Sequence, residues 1–232
     1  MGKKKKIITL IVGVVILIGA SVGGYYVYQA LNYFQTNNAS VTADLVSIIP
    51  QMSGIVESWD VKEGDDVKKN QVLGKQDVAS FINSSAINEN SLAREANSIL
   101  SKAEIRSPIK GKIVKSNVTK GVSANMGNTV AIVADTSNLY IKANIEETDI
   151  FKIKVGQRVR IKMDAYPGKT FTGYVEVVSP ATQNAFSNGM SLNTSGTYSK
   201  VTQLIPVKIS MINDENLPML LGMNATVKIS IK

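Results

Sequence analysis

The chain has no cysteine and no histidine among its 232 residues. Without thiols there is no disulfide framework, no thiolate nucleophile and no thiolate metal site. Without imidazole, Ser-His-Asp and Cys-His catalysis are excluded, together with the usual zinc constellations. Carboxylate, lysine or serine–lysine chemistry stays open, yet the sequence groups no such residues persuasively. Aromatics are only 6% and are not interleaved with the lysines, so a base-stacking nucleic-acid face is not expected. The formal charge of +8 is concentrated at the start, in Lys3, Lys4, Lys5 and Lys6. Without those four, 22 basic residues face 18 acidic ones. The remaining lysines are scattered along strand-like segments, as Lys62, Lys68 and Lys69 are beside Asp65 and Asp66, and read as a solvated surface.

The lysine cluster forms a basic tail, residues 1–6, ahead of an uncharged run from Ile7 to Tyr28. As a helix this run reaches about 33 Å, enough to cross a bilayer core. We place the span at residues 7–29. Tyr25, Tyr26 and Tyr28 crowd its far end, where amphipathic rings favour the membrane interface. A cleaved signal peptide shares the basic start, and Gly19-Ala20-Ser21 has the small residues of a cleavage site. Its apolar core is usually about 7–15 residues, so an anchor fits better. The positive-inside rule then keeps the lysines in the cytoplasm and puts the rest of the chain outside a plasma membrane.

Beyond the span, residues 30–44 are polar and aperiodic and read as a linker. The texture then turns to β, and a motif occurs twice. Residues 50–73 (PQMSGIVESWDVKEGDDVKKNQVL) align without gaps to residues 107–130 (SPIKGKIVKSNVTKGVSANMGNTV). Gly54 matches Gly111, Gly64 matches Gly121, Val56 matches Ile113 and Val61 matches Val118. A gapless repeat implies two β-units that pack on each other, because neither buries its apolar face alone. The split domain is placed at residues 45–77 and 103–135.

Between the halves, residues 78–102 change period. Val78, Phe81 and Ile82 fall on one helical face, as do Leu92, Ala96, Ile99 and Ala103 after the polar break Asn88-Glu89-Asn90-Ser91. We expect a short helical hairpin with arms of about 15–18 Å. Residues 136–232 carry alternating runs at Leu139–Ile145, Arg158–Met163, Thr170–Val178, Ile205–Met211 and Ala225–Ile231. With Gly- and Pro-containing turns between them they predict a small antiparallel β-barrel. A Gly/Ser/Asn-rich loop, residues 184–199, interrupts it. Gly54, Gly64, Gly111, Gly121, Gly156 and Gly222 occupy turn-like positions and read as structural. The whole is mainly β: a transmembrane helix, a split domain with a hairpin insert, and a barrel.

At this level the chain resembles the HlyD-type membrane fusion proteins, adaptors of export pumps. The split repeat with a helical insert is similar to that family's biotinyl-lipoyl-like domain, interrupted by its α-hairpin. Ile105-Arg106-Ser107-Pro108-Ile109-Lys110-Gly111 resembles the re-entry motif after the hairpin. Residues 139–165, Phe171-Thr172-Gly173-Tyr174-Val175 and Leu221-Gly222-Met223 resemble the family's barrel. Asn38-Ala39-Ser40-Val41, Ile49–Gly54, Ala185-Phe186-Ser187 and residues 193–209 resemble the EmrA-like branch. The resemblance implies an adaptor without catalysis, cofactor or metal, self-associating into a collar beside a major-facilitator exporter. An ABC exporter of peptides or drugs is the alternative partner. Hairpin arms this short cannot cross a periplasm, which points to a cell without an outer membrane or to a deletion. Candidate partner contacts are the hairpin tip, with Asn88, Glu89 and Asn90, and the barrel loop, with Phe186 and Tyr198.

True lipoyl and biotinyl domains modify a lysine at the tip between their halves. Here the insert replaces that tip, and the nearby Lys75 lacks the flanking methionine or acidic residue of such a site. Ser107 and Ser187 lack a nucleophile-elbow pattern and a neighbouring base, so a hydrolase is not supported. Glu146, Glu147 and Asp149 read as a capped turn.

Overall fold

Helix α1 (Lys3–Asn32) runs 30 residues, starting within the lysine cluster and ending four residues beyond Tyr28. The structure is a computed structural model and describes residues 2–77, 92–186, 202–214 and 217–231, with backbone alone for residues 3–10, 92–97 and 186. Within α1, Ile11–Asn32 is long and apolar enough to cross a membrane. Val15, Leu17 and Tyr26 all point into the open. A helix apolar on every side is at home in lipid or in a protein core, and among the described residues the apolar length of this one is not packed by protein. The helix stops where Asn32 turns its side-chain amide onto the Tyr28 carbonyl (2.7 Å) and Tyr33 becomes extended.

The strands that follow are β1 (Tyr33–Thr42), β2 (Leu45–Ile48), β3 (Gly54–Trp59), β4 (Asp66–Val67) and β5 (Val72–Gln76). Helix α2 (Leu92–Ala103) leads into β6 (Glu104–Arg106), β7 (Gly111–Ser116), β8 (Ser123–Ala124) and β9 (Ala131–Ala134). The last are β10 (Tyr140–Glu146), β11 (Arg158–Met163), β12 (Phe171–Val178), β13 (Leu204–Ile212) and β14 (Asn224–Ser230). They divide between two units, 1–42 with 140–232, and 43–139.

In the first unit six strands close a barrel in the order β1-β10-β13-β12-β11-β14. Closure corrects one expectation. Residues 30–44 are not a linker: α1 ends within them and Tyr33–Thr42 is a barrel strand, paired with β10 on one side and β14 on the other. Its outward positions are polar, as at Gln35 and Asn37, and only Ala39 and Val41 turn fully inward. A bulge between Thr36 and Ala39 breaks the alternation further, so no period-2 signal survives. Inside, Ile141, Ile145, Ile161, Ile209 and Ile229 are completely buried, each worth about 2 kcal/mol. The alternation in β11 is strict, with Val159, Ile161 and Met163 inside and Arg158, Arg160 and Lys162 outside.

The second unit has two four-stranded sheets, β2-β9-β7-β4 and β6-β5-β3-β8. In the first, inner strands from the second half lie between edge strands from the first; in the other the roles reverse. Neither half can therefore complete a four-stranded sheet alone. The hydrogen bonds repeat residue for residue. Gly64 donates its N–H to the Ile113 carbonyl and Gly121 to that of Val56, both at 2.8 Å. Ile113 donates to Asp65 and Val56 to Val122, both at 2.9 Å. Trp59 and Ser116, equivalent positions 57 residues apart, bond to each other through Nε1 and Oγ at 3.0 Å. Val56, Leu73, Ile113, Val130 and Val133 form the core between the sheets.

Of the expected hairpin, α2 supplies the second arm, with Ile99 half-buried and Ala103 buried. Residues 78–91, the first arm and the tip, lie outside the described residues. The glycines divide by mechanism. Gly64 and Gly121 turn at φ of 92° and 88°, and Gly156 and Gly222 also have positive φ. Gly54 and Gly111 instead open strands without positive φ, so they are not turn residues. A Cβ on Gly111 would stand 2.1 Å from the Ala134 carbonyl oxygen, a space that only glycine fits.

Candidate functional site

Ser107, Lys75 and Asp149 each have partners within the fold. Ser107 is fully buried, and its hydroxyl donates to the Ile109 carbonyl at 2.7 Å, closing the turn that follows β6. Lys75 lies inside β5, flanked by β3 and β6, and faces Glu104 at 3.7 Å; it is not at a hairpin tip. Asp149 accepts from Lys152 Nζ at 2.6 Å, and its own N–H donates to the Glu146 carbonyl, so these acids shape a turn. Where the split unit ends, Asp135 accepts from the Ser137 N–H (2.9 Å) and the Asn138 amide (3.3 Å). The Ser137 N–H above all holds the Asp135 carboxyl below the ordinary range.

Of the candidate contacts, Asn88, Glu89, Asn90 and Tyr198 lie outside the described residues, as does Ser187. Phe186 ends a single 3₁₀ turn, Gln183–Phe186, that follows β12. In that turn the Asn184 side chain donates to Gln203 Oε1 at 3.2 Å, ahead of β13.

The structure gathers two surfaces that the sequence had left dispersed. On the barrel exterior, Arg158, Arg160 and Lys162 of β11 share a face with Lys228 of β14, which stands opposite Arg160. Tyr33 lies under this cluster, with the Arg160 guanidinium 5.1 Å and the Lys228 ammonium 4.5 Å from its ring centre. Lys228 also bonds Gln29, tying the cluster to α1. The four cations have no acidic partner among the described residues. This revises the reading of scattered lysines: period-2 spacing in Arg158-Val159-Arg160-Ile161-Lys162 is the signal for one basic face.

The other surface is the β3–β8 edge of the split unit. Ile55, Val122 and Met126 are exposed there by 54%, 44% and 65%. The positions 57 residues away are Lys112, Asp65 and Lys69. One repeat edge is apolar and its twin is charged.

Comparison with known proteins agrees with this architecture. Residues 44–136 match the model of the RND MFP, barrel-sandwich hybrid domain, and residues 139–229 that of the YknX-like beta-barrel domain. The chain is 38% identical over 233 residues to YhbJ of Bacillus subtilis (strain 168), named as a candidate efflux system component, covering 99% of this chain and 95% of that protein. It is 33% identical over 134 residues to the colistin resistance protein EmrA of Acinetobacter baumannii, covering 57% of this chain and 38% of that one. The crystal structure of MacA from Actinobacillus actinomycetemcomitans has the same fold, with a TM-score of 0.66 at 20% identity over 86% of this chain and 79% of that one. The match with YhbJ runs nearly end to end, and both β domains have family models of their own; this chain belongs to the HlyD-type membrane fusion proteins, the efflux adaptors, in their EmrA-like branch.

Proposed function

We propose that the chain is a non-catalytic adaptor, held by α1 in the plasma membrane beside a major-facilitator exporter, with its β domains on the outer face. The observation that carries this reading is the interrupted repeat. A lipoyl-like unit whose lysine-bearing tip is replaced by an insert keeps the packing surfaces of the fold and loses its carrier chemistry. The partial identity to EmrA favours the major-facilitator partner over an ABC exporter. Lys3–Lys6 stay cytoplasmic in this arrangement. The short insert suits a cell without an outer membrane.

Several copies form a collar, and the apolar edge at Ile55, Val122 and Met126 supports it, since exposed apolar patches mark contact sites. The transporter is met by the hairpin tip at Asn88, Glu89 and Asn90 and by the barrel loop with Phe186 and Tyr198. Crosslinking the full chain in native membranes, then identifying co-purified proteins, tests both parts. A multi-span permease and adaptor multimers that diminish with Ile55→Lys are expected. A nucleotide-binding subunit would move the adaptor to an ABC exporter, and no transporter at all would contradict the reading.

A further inference from the structure

An aromatic side chain stands almost wholly in the open at one end of the barrel. Phe151 is 90% exposed and Val155 65%, while Ile150 and Ile153 between and beside them are buried. The display is pinned in place. Ile153 donates to the Ile150 carbonyl (2.9 Å) and Gly156 to that of Val175 (2.8 Å). The Gln157 amide accepts from the Lys154 N–H (2.9 Å) and donates to the Lys152 carbonyl (3.1 Å). Nothing in the barrel core accounts for a phenyl ring in that position.

This end of the barrel is the one that adjoins α1. Strand β1 starts there at Tyr33, directly after the helix, and the Ile231 N–H bonds the Asn32 carbonyl at 3.0 Å. Strand β10, antiparallel to β1, ends there at Glu146, and β11 starts there at Arg158, its neighbour β14 being antiparallel to both β11 and β1. Taking Tyr25, Tyr26 and Tyr28 as the interfacial belt, Asn32 lies only about 6 Å further along the helix. That is within the roughly 8 Å over which charges are felt at physiological salt. The acids of this end are Glu146, Glu147, Asp149 and Glu176; Asp149 is taken up by Lys152 and Glu176 faces Lys208 at 3.7 Å. Lys154, Arg158, Arg160 and Lys228 have no acidic partner among the described residues.

We propose that this rim is a second membrane contact, which rests on the anchor reading of α1. Phe151 and Val155 enter the boundary between headgroups and acyl chains. Lys154, Arg158 and Lys228 engage the anionic phosphates of the outer leaflet. An apolar tip ringed by cations is the chemistry of an interfacial anchor. Such a contact fixes the tilt of the barrel over the bilayer, which a single helix cannot do.

The absence of native cysteine allows one probe per chain. An environment-sensitive fluorophore is placed at Phe151→Cys, Val155→Cys, Leu17→Cys in the helix, or Leu220→Cys at the opposite end of the barrel. The full chain is reconstituted in bilayers with or without phosphatidylglycerol, carrying lipid-borne quenchers at known depth. Probes at 151 and 155 are expected to be quenched from the headgroup level in anionic bilayers, and the probe at 220 is not. Removing Lys154 and Arg158 as glutamines should lower the docked-to-undocked ratio about fivefold per charge. Probes at 151 and 155 left in water while the probe at 17 is quenched would overturn the rim contact alone. A probe at 17 that escapes quenching would overturn the anchor and the rim together. Shielding at 151 that needs a transporter rather than anionic lipid would assign the rim to a protein and overturn the proposal.

Discussion

The two equivalent edges of the split unit, each built from both halves, have the same backbone pairing and opposite exteriors. Gly54 and Gly111, Val56 and Ile113, and Gly64 and Gly121 do the same work in each half, down to matching 2.8 Å bonds. Outward, Ile55, Val122 and Met126 on one edge stand where the equivalent edge has Lys112, Asp65 and Lys69. Lys112 reaches the Asp66 carboxylate at 3.0 Å and the Gly64 carbonyl at 2.9 Å, so the charged edge satisfies itself. The apolar edge has no such internal answer. Positions that the interlocked sheets depend on are held in both copies, and the rest are free to specialise. Divergence on the outer face of a duplicated unit is therefore where interaction is to be sought.

The equivalence is not perfect even at its glycines, and that supplies the sharpest way to break it. A Cβ on Gly111 meets the Ala134 carbonyl oxygen at 2.1 Å and Val133 Cγ1 at 2.9 Å. On Gly54 the nearest atom is the Asp77 carbonyl oxygen at 3.0 Å. Gly111→Ala should cost about 3 kcal/mol in denaturant unfolding of the full chain, and Gly54→Ala about 1 kcal/mol. Equal losses would show the two edges to be packed alike.

A smaller and symmetric effect is expected at the turns. Gly64 and Gly121 have open space around them, so alanine there meets only the cost of positive φ. Each substitution should destabilise by about 1 kcal/mol, and the two by the same amount within error. A clear difference between them would mean that the turns have diverged as the edges have.

Much of this was legible in the chain. The gapless repeat revealed the pairing of halves, because inward positions cannot change without emptying the core. Barrel strands with regular alternation were equally visible, as in Arg158–Met163. The first barrel strand was hidden, since Tyr33–Thr42 has only two fully buried side chains and a bulge between its ends. Its strand character comes from neighbours about a hundred residues or more away. Strands β4 and β8, two residues each, exist only as bridges to the other half and leave no local pattern. The basic face needed two strands to be laid side by side, because Lys228 reaches Arg160 only through the β11–β14 register. Phe151 was hidden for a different reason: in sequence it sits among Ile150 and Ile153, and only the fold turns it outward.

The central claim, that the chain serves export as an adaptor and not by chemistry of its own, is tested most directly by efflux. Accumulation of a fluorescent exported compound is followed in cells that contain the transporter, with and without the chain. The account predicts that export needs the chain and is unchanged when Ser187 or Lys75 is replaced by alanine. Export that continues at full rate without the chain, or that stops when one of those side chains is removed from a folded protein, would contradict it.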